Sequence, residues 1–224
     1  MTTRTLKSFT AAMARPLPVL ILADTSGSMS VDGKIEALNT ALADMIDTFA
    51  EEDEGKAEIH VGIITFGSAA QIHQDPISAS KLDFQPLSAN GMTPMGGAFD
   101  LVRELIEDHD KISGRAYTPA IVLVSDGQPN DMWEPALDRL LKSERALKAQ
   151  RFALGIGEDA DADVLRRFLD NPEGRVYGAS DARQIKMFFK AVTMSMCSRS
   201  RSMNPNATMA NDFLLSDLDG MELL

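Results

Sequence analysis

Two rhythms of apolar and polar positions take turns along the chain. Short apolar runs recur: Val19 to Ala23, Ala57 to Phe66 with Ile59, Val61, Ile63 and Ile64, and Ala120 to Val124. Their length and β-branched content predict strands buried on both faces. Arg151 to Ile156 and Arg175 to Tyr177 continue the series. Ala70 to Ile77 is a weaker strand, and Pro76 places it at a sheet edge, where it forms an antiparallel hairpin with the strand before it. Between the runs, apolar residues fall on one helical face. They are Ile35, Leu38, Leu42, Met45, Ile46 and Phe49, then Ala98, Phe99, Val102, Leu105 and Ile106. Trp133, Leu137, Leu140, Leu141 and Leu147 mark a third helix, Val164, Leu165 and Phe168 a short fourth, and Ile185 to Met196 the last. The acidic run Glu51 to Glu54, followed by Gly55, closes the first helix; carboxylates oppose the dipole at a helix C-terminus, so the run reads as turn. This alternation predicts an α/β fold, doubly wound, with a mostly parallel sheet, helices on both faces and one antiparallel edge strand.

The polar clusters at the ends of these strands carry the chemistry. The first strand runs into Asp24-Thr25-Ser26-Gly27-Ser28. In an extended loop the side chains at 26 and 28 point the same way, so two hydroxyls can converge on one cation, with Gly27 allowing close approach and Asp24 supplying charge. These are hard oxygen donors, suited to Mg2+ or Mn2+. The same residues could simply cap a helix. Thr93, in the glycine-rich loop Ser88 to Gly97, offers a third hydroxyl; taken alone it reads more simply as a cap, with Pro94 in the first helical position. The strand ending at Val124 runs into Ser125-Asp126-Gly127. A doubly wound fold gathers Asp24, Ser26, Ser28, Thr93 and Asp126 at the strand edge where such sheets bind ligands.

Composition narrows the function. Of 224 residues 44% are hydrophobic, enough for one sizeable core. The net charge of -11 would repel phosphate backbones, which argues against nucleic-acid binding. The one cysteine, Cys197, allows no intrachain disulfide, which suits a reducing compartment. His60, His73 and His109 form no ligand spacing with it, against a zinc site. No segment reaches the roughly 20 apolar residues of a membrane span. The run before Asp24 is too short and too proline-interrupted for a signal peptide. A cytoplasmic protein without a membrane role is expected. Residues 1–16 read as a flexible leader, 17–197 as one domain and 198–224 as a flexible acidic tail. Within the tail, Phe213, Leu214, Leu215, Leu218, Met221, Leu223 and Leu224 alternate irregularly with acidic residues. Such a segment is either disordered or a short helix that docks in a partner's groove. Alternatively it offers a carboxylate to the metal site of a neighbouring copy, giving tail-mediated self-association.

The three-part pattern, Asp24-Thr25-Ser26-Gly27-Ser28, then Thr93, then Asp126-Gly127, resembles the metal-ion-dependent adhesion site of von Willebrand factor A domains. The resemblance covers about residues 17 to 197. It implies that Ser26 and Ser28 bind the metal directly, Thr93 in the ligand-bound state, and Asp24 and Asp126 directly or through water. One coordination position would stay open for a partner carboxylate. Mg2+ is the metal implied, with Mn2+ or Ca2+ able to substitute. Met92 to Ala98 and Ser125 to Asp131 look most like the intracellular bacterial branch that includes TerY of tellurite-resistance clusters. That resemblance implies a PP2C-type phosphatase and a serine/threonine kinase as partners. Similar domains also serve AAA+ ATPases, which is the alternative setting. A metal-dependent hydrolase is a third reading. Against it, the sequence has no nucleophile–base pair near the motif, no Gly-x-Ser-x-Gly elbow and no Walker A loop. Gly155 to Ala160 formally matches a dinucleotide loop, but Glu158 and Asp159 sit where pyrophosphate would bind. The expectation is a non-enzymatic, metal-dependent protein–protein interaction module.

Overall fold

The computed structural model describes residues 14–52, 57–206, 218 and 221–224. Its strands are β1 (Arg15–Asp24), β2 (Ala57–Phe66), β3 (Ala70–Ser78), β4 (Ala120–Ser125), β5 (Gln150–Ile156), β6 (Val176–Ala179) and β7 (Glu222–Leu223). Its helices are α1 (Lys34–Ala50), α2 (Met95–Glu107), α3 (Trp133–Lys142), α4 (Ala162–Leu169) and α5 (Ala182–Arg201). The strands form one sheet in the order β3-β2-β1-β4-β5-β6-β7. All neighbours are parallel except β2–β3 and β6–β7. The chain therefore winds outwards from β1 in both directions, and the reversal falls between β1 and β4, where ligands seat in such sheets.

Both faces of the sheet are covered, which is why β1 reads as an unbroken apolar run. Leu17, Val19, Ile21 and Ala23 pack into the core under α1 and α5, and Leu20 and Leu22 into the core under α2, α3 and α4. β1 starts earlier than its apolar run, at Arg15, and takes in Pro16 and Pro18. Over these residues β1 pairs with β2, while its pairing with β4 starts only at Val19. The Pro16 carbonyl accepts from Tyr117 N–H on the β4 side, so the missing proline donors face a stretch with no ladder to break.

Three other segments depart from the sequence pattern. Helix α3 stops at Lys142, and Leu147, expected on its apolar face, is exposed in a separate 3-10 turn, Ala146–Lys148. The Glu107 carboxylate draws the chain out of the helix there: it accepts from the Ser143 hydroxyl and from the backbone N–H of Arg145 and Ala146. Helix α5 runs on to Arg201, beyond Met196. In the tail, Leu218 and Met221 are buried, and Glu222–Leu223 adds a second antiparallel edge, pairing with β6. At Glu222–Leu223 the chain is extended rather than helical, because the outer side of β6 offers unpaired backbone groups that a strand satisfies. The rest of that stretch, 213–217 and 219–220, and residues 1–13 of the leader lie outside the described residues. A Cβ on Gly155 would stand 2.4 Å from Leu224 Cδ1, so the first glycine of the dinucleotide-like loop makes room for a leucine. Among the described residues no helix is long and apolar enough to cross a membrane.

Candidate metal centre

β1 delivers Asp24, fully buried, to the reversal point. Its Oδ1 accepts from Ser26 N–H at 2.8 Å, and its Oδ2 from the Ser125 hydroxyl at 2.6 Å. Ser125 ends β4, so this carboxylate ties the two central strands together. Burial pushes the Asp24 carboxyl up to about 6, the bonds from Ser125 and Ser26 pulling the other way and the nearby Asp126 charge adding to the rise.

Beyond Asp24 the chain makes a 3-10 turn, Gly27–Ser30, rather than an extended loop, with Met29 as its buried anchor. The two hydroxyls still converge. Ser26 Oγ lies 2.9 Å from Ser28 Oγ, and Ser28 Oγ donates to Asp126 Oδ1 at 2.8 Å. Neither serine side chain acts as a cap: Ser26 precedes the turn in the N-cap position but its side chain makes no capping bond, and the residue before α1 is Gly33.

The loop carrying Thr93 is laced to its neighbours by backbone bonds. Gly27 N–H donates to Gly91 O, Asn90 N–H to Thr25 O, and Met92 N–H to Gly67 O. Gly91 has φ +89°, and a Cβ there would stand 2.4 Å from Ser68 N, so glycine is required. Thr93 does not cap α2 either. That task falls to Asp131, whose two oxygens accept from Gly96 N–H at 2.9 Å and Gly97 N–H at 3.0 Å. Asn130 N–H meanwhile binds the Thr93 carbonyl. The Thr93 side chain is left beside the Asp126 loop, its Oγ1 3.8 Å from where a Cβ on Gly127 would stand.

All five expected residues thus meet at one edge. Pattern reading passed over three others that build the site. Ser125 and Asp131 flank Asp126 in the same polar run, where their position next to a strand end was the available signal. Lys34 is the third: its Nζ lies 2.6 Å from Asp126 Oδ2. It had no signal, because periodicity marks only the apolar face of α1.

The donor set is two carboxylates and three hydroxyls, those of Asp24, Asp126, Ser26, Ser28 and Thr93. Among the described residues no three His, Cys, Asp or Glu side chains cluster as a metal group. This chemistry fits a hard divalent cation and not a soft one. Around it, Val31, Met92 and Met132 stand exposed, one on each of the three loops.

An open α/β sheet with a cluster of oxygen donors at its reversal point defines a class of ligand-binding domain. The chain belongs to the von Willebrand factor type A domain family, whose model matches residues 19–191. Such domains are typically metal-dependent interaction modules. Over 202 residues the chain is 28% identical to human inter-alpha-trypsin inhibitor heavy chain H2, covering 80% of this chain and 20% of that one. Over 138 residues it is 31% identical to the 60 kDa subunit of a Rhodobacter capsulatus magnesium chelatase, covering 59% of this chain and 23% of that one. The chain therefore spans about a fifth of these relatives' length. Among solved structures, proximal thread matrix protein 1 of the mussel byssus, solved with zinc in its own MIDAS motif, shares the fold. Its TM-score is 0.63 at 17% identity, over 82% of this chain and 48% of that one.

The Asp24 carboxyl gives the centre a pH dependence. Its folded pKa of about 6 exceeds its ordinary 3.8, so between those values the metal-free fold binds more protons than the unfolded chain. Metal-free stability should accordingly fall as pH rises through that window. A cation needs the carboxylate, so its affinity should rise with pH up to about 6 and then level off. Titration calorimetry with Mn2+ should give about tenfold weaker binding at pH 5 than at pH 7. An affinity independent of pH over that range would show that Asp24 plays no part in binding.

Proposed function

We propose that this domain is a non-enzymatic, divalent-metal-dependent protein–protein interaction module. Mg2+, the most abundant candidate, is held by Ser26, Ser28, Thr93 and Asp126 with Asp24 behind them, and a partner protein supplies a carboxylate to its open position. Mn2+ or Ca2+ can take its place. The observation that carries this reading is the convergence of Ser26, Ser28 and Asp126 while the Ser26 side chain makes no capping bond and Asp131, not Thr93, caps α2. A cation is needed for such a partner: a chain of net charge -11 repels an acidic ligand unless positive charge is present locally. The exposed Val31, Met92 and Met132 favour a protein ligand, since they offer adaptable apolar surface around the polar centre. A hydrolase is disfavoured by the histidines: His60 pairs with Glu58, His73 with the Gln85 carbonyl, and His109 lies against Gly114. The setting we infer is a cytoplasmic, TerY-like signalling or stress-resistance system, with a PP2C-type phosphatase and a serine/threonine kinase as partners. Self-association through the acidic tail belongs to the same reading. The alternative setting, a subunit of an AAA+ ATPase machine, draws on the likeness to a magnesium-chelatase subunit.

Affinity capture on the full chain tests the reading. Proteins retained in Mg2+ should be released by EDTA, and Thr93→Ala or Asp126→Ala should each weaken retention at least about tenfold, as loss of a charge-assisted contact does. Mass spectrometry of the retained proteins would separate phosphatase and kinase from ATPase. Equal retention in EDTA would place the contact elsewhere and leave the centre a structural role.

A further inference from the structure

We propose that Lys34 is a built-in competitor for the metal, its ammonium holding Asp126 as a counter-charge that an incoming divalent cation must displace. The inference rests on the reading of this centre as a divalent-cation site. It concerns what sets the affinity.

The position of Lys34 is determined by backbone. Asp32 and Gly33 both have positive φ, 55° and 71°, and this left-handed pair turns the chain so that α1 begins at Lys34, over the centre. A lysine at a helix N-terminus opposes the macrodipole, where an acidic or capping residue would be favourable. Its compensation lies outside the helix. Nζ approaches Asp126 Oδ2 to 2.6 Å, with the aspartate side chain fully buried and the lysine side chain 20% exposed. The loop after β5 walls in the other side: a Cβ on Gly157 would stand 3.7 Å from Nζ. Asp126 therefore has both oxygens engaged, Oδ1 by Ser28 and Oδ2 by Lys34.

Two consequences follow from charge alone. Asp24 and Asp126 bring two carboxylates into one mostly water-excluded place, and the ammonium offsets part of their repulsion, so the three loops can assemble without a cation. The same ammonium repels a divalent ion at short range and competes for Oδ2, so it lowers affinity. Residue 34 thus sets the cation concentration at which the module becomes competent to bind.

The test uses the full chain with Lys34→Met and Lys34→Arg, titrated with Mn2+ and Mg2+ by calorimetry and melted in EDTA. Lys34→Met should bind Mn2+ at least about tenfold more tightly than wild type, with Lys34→Arg close to wild type because it keeps the charge. In EDTA, Lys34→Met should melt several degrees lower, having lost the counter-charge. Lys34→Gln repeats the measurement should methionine perturb the start of α1. Wild-type binding with unchanged or weaker affinity in both neutral variants would overturn the competition and leave the metal reading intact. If neither wild type nor any variant binds a cation, the metal reading itself falls and the competition falls with it.

Discussion

A divalent cation at about 100 times its dissociation constant should raise the unfolding free energy of the wild-type protein by about 2.7 kcal/mol, and Asp24→Ala should abolish that rise. For a domain of this size the shift corresponds to roughly 5–10 °C in Tm. The substitution also separates a metal role from a structural one by sign. Without metal, the raised Asp24 pKa means that its carboxylate opposes folding above pH 6. The shift from 3.8 to about 6 amounts to a penalty on the order of 3 kcal/mol at neutral pH. Removing the carboxylate relieves that penalty, while Ser125 and Ser26 lose an acceptor. Asp24→Ala should therefore be no less stable than wild type in EDTA and clearly less stable in saturating Mg2+. Melting curves at pH 7.5 with Mg2+, Mn2+, Ca2+ and EDTA read this directly. A wild-type curve that responds to none of the three cations would sink the metal assignment, and an Asp24→Ala variant that collapses equally in both conditions would make Asp24 a structural residue.

The largest loss of stability without loss of the site is expected from Arg199→Ala. Arg199 is fully buried near the end of α5. Its Nε and Nη2 donate to the Pro205 carbonyl at 3.0 and 2.9 Å, Nη1 to Gln150 Oε1 at 3.0 Å, and Nη2 to the Thr118 carbonyl at 2.8 Å. One guanidinium thus clamps the end of α5 to the starts of β4 and β5, at the opposite end of the sheet from the metal centre. Burial pulls its pKa down to about 10, so it stays charged at neutral pH. Truncation would leave several buried acceptors without a donor and open a cavity, at a cost of about 3–5 kcal/mol. Lysine should recover only part, lacking the planar fork. Folded and unfolded states both carry the charge below about pH 10, so the loss should not vary between pH 6 and 9. Denaturant unfolding measures it, and the metal-induced shift should persist in the variant. A loss under about 1 kcal/mol would mean that water or neighbouring groups replace the clamp.

Much of this architecture is legible because periodicity is a local property. Val19 to Ala23 reads as a central strand since both its faces are buried, and α1, α2 and α4 read as helices since each buries one stripe. Where a distant group intervenes, local reading fails. Leu147 continues the α3 stripe in sequence, yet Glu107 holds the chain in a turn before it. Pro16 and Pro18 interrupt the approach to the apolar run in sequence, yet β1 contains them because its neighbour on that side starts later.

The centre divides along the same line. By itself the sequence determined which oxygen donors are present and that strand ends would carry them to one edge, because strand direction and crossover handedness follow from the order of elements. It left undecided whether Ser26 and Thr93 were caps or cation ligands, since both roles ask for the same residue types. Tertiary structure gave the cap of α2 to Asp131, from a loop 34 and 35 positions away along the chain, and so took the capping role from Thr93. It also decided the charge that Asp126 faces, through Lys34, 92 positions away. Hydrogen bonds and ion pairs act over about 3 Å of space whatever the separation along the chain, so their partners are known only once the chain is folded.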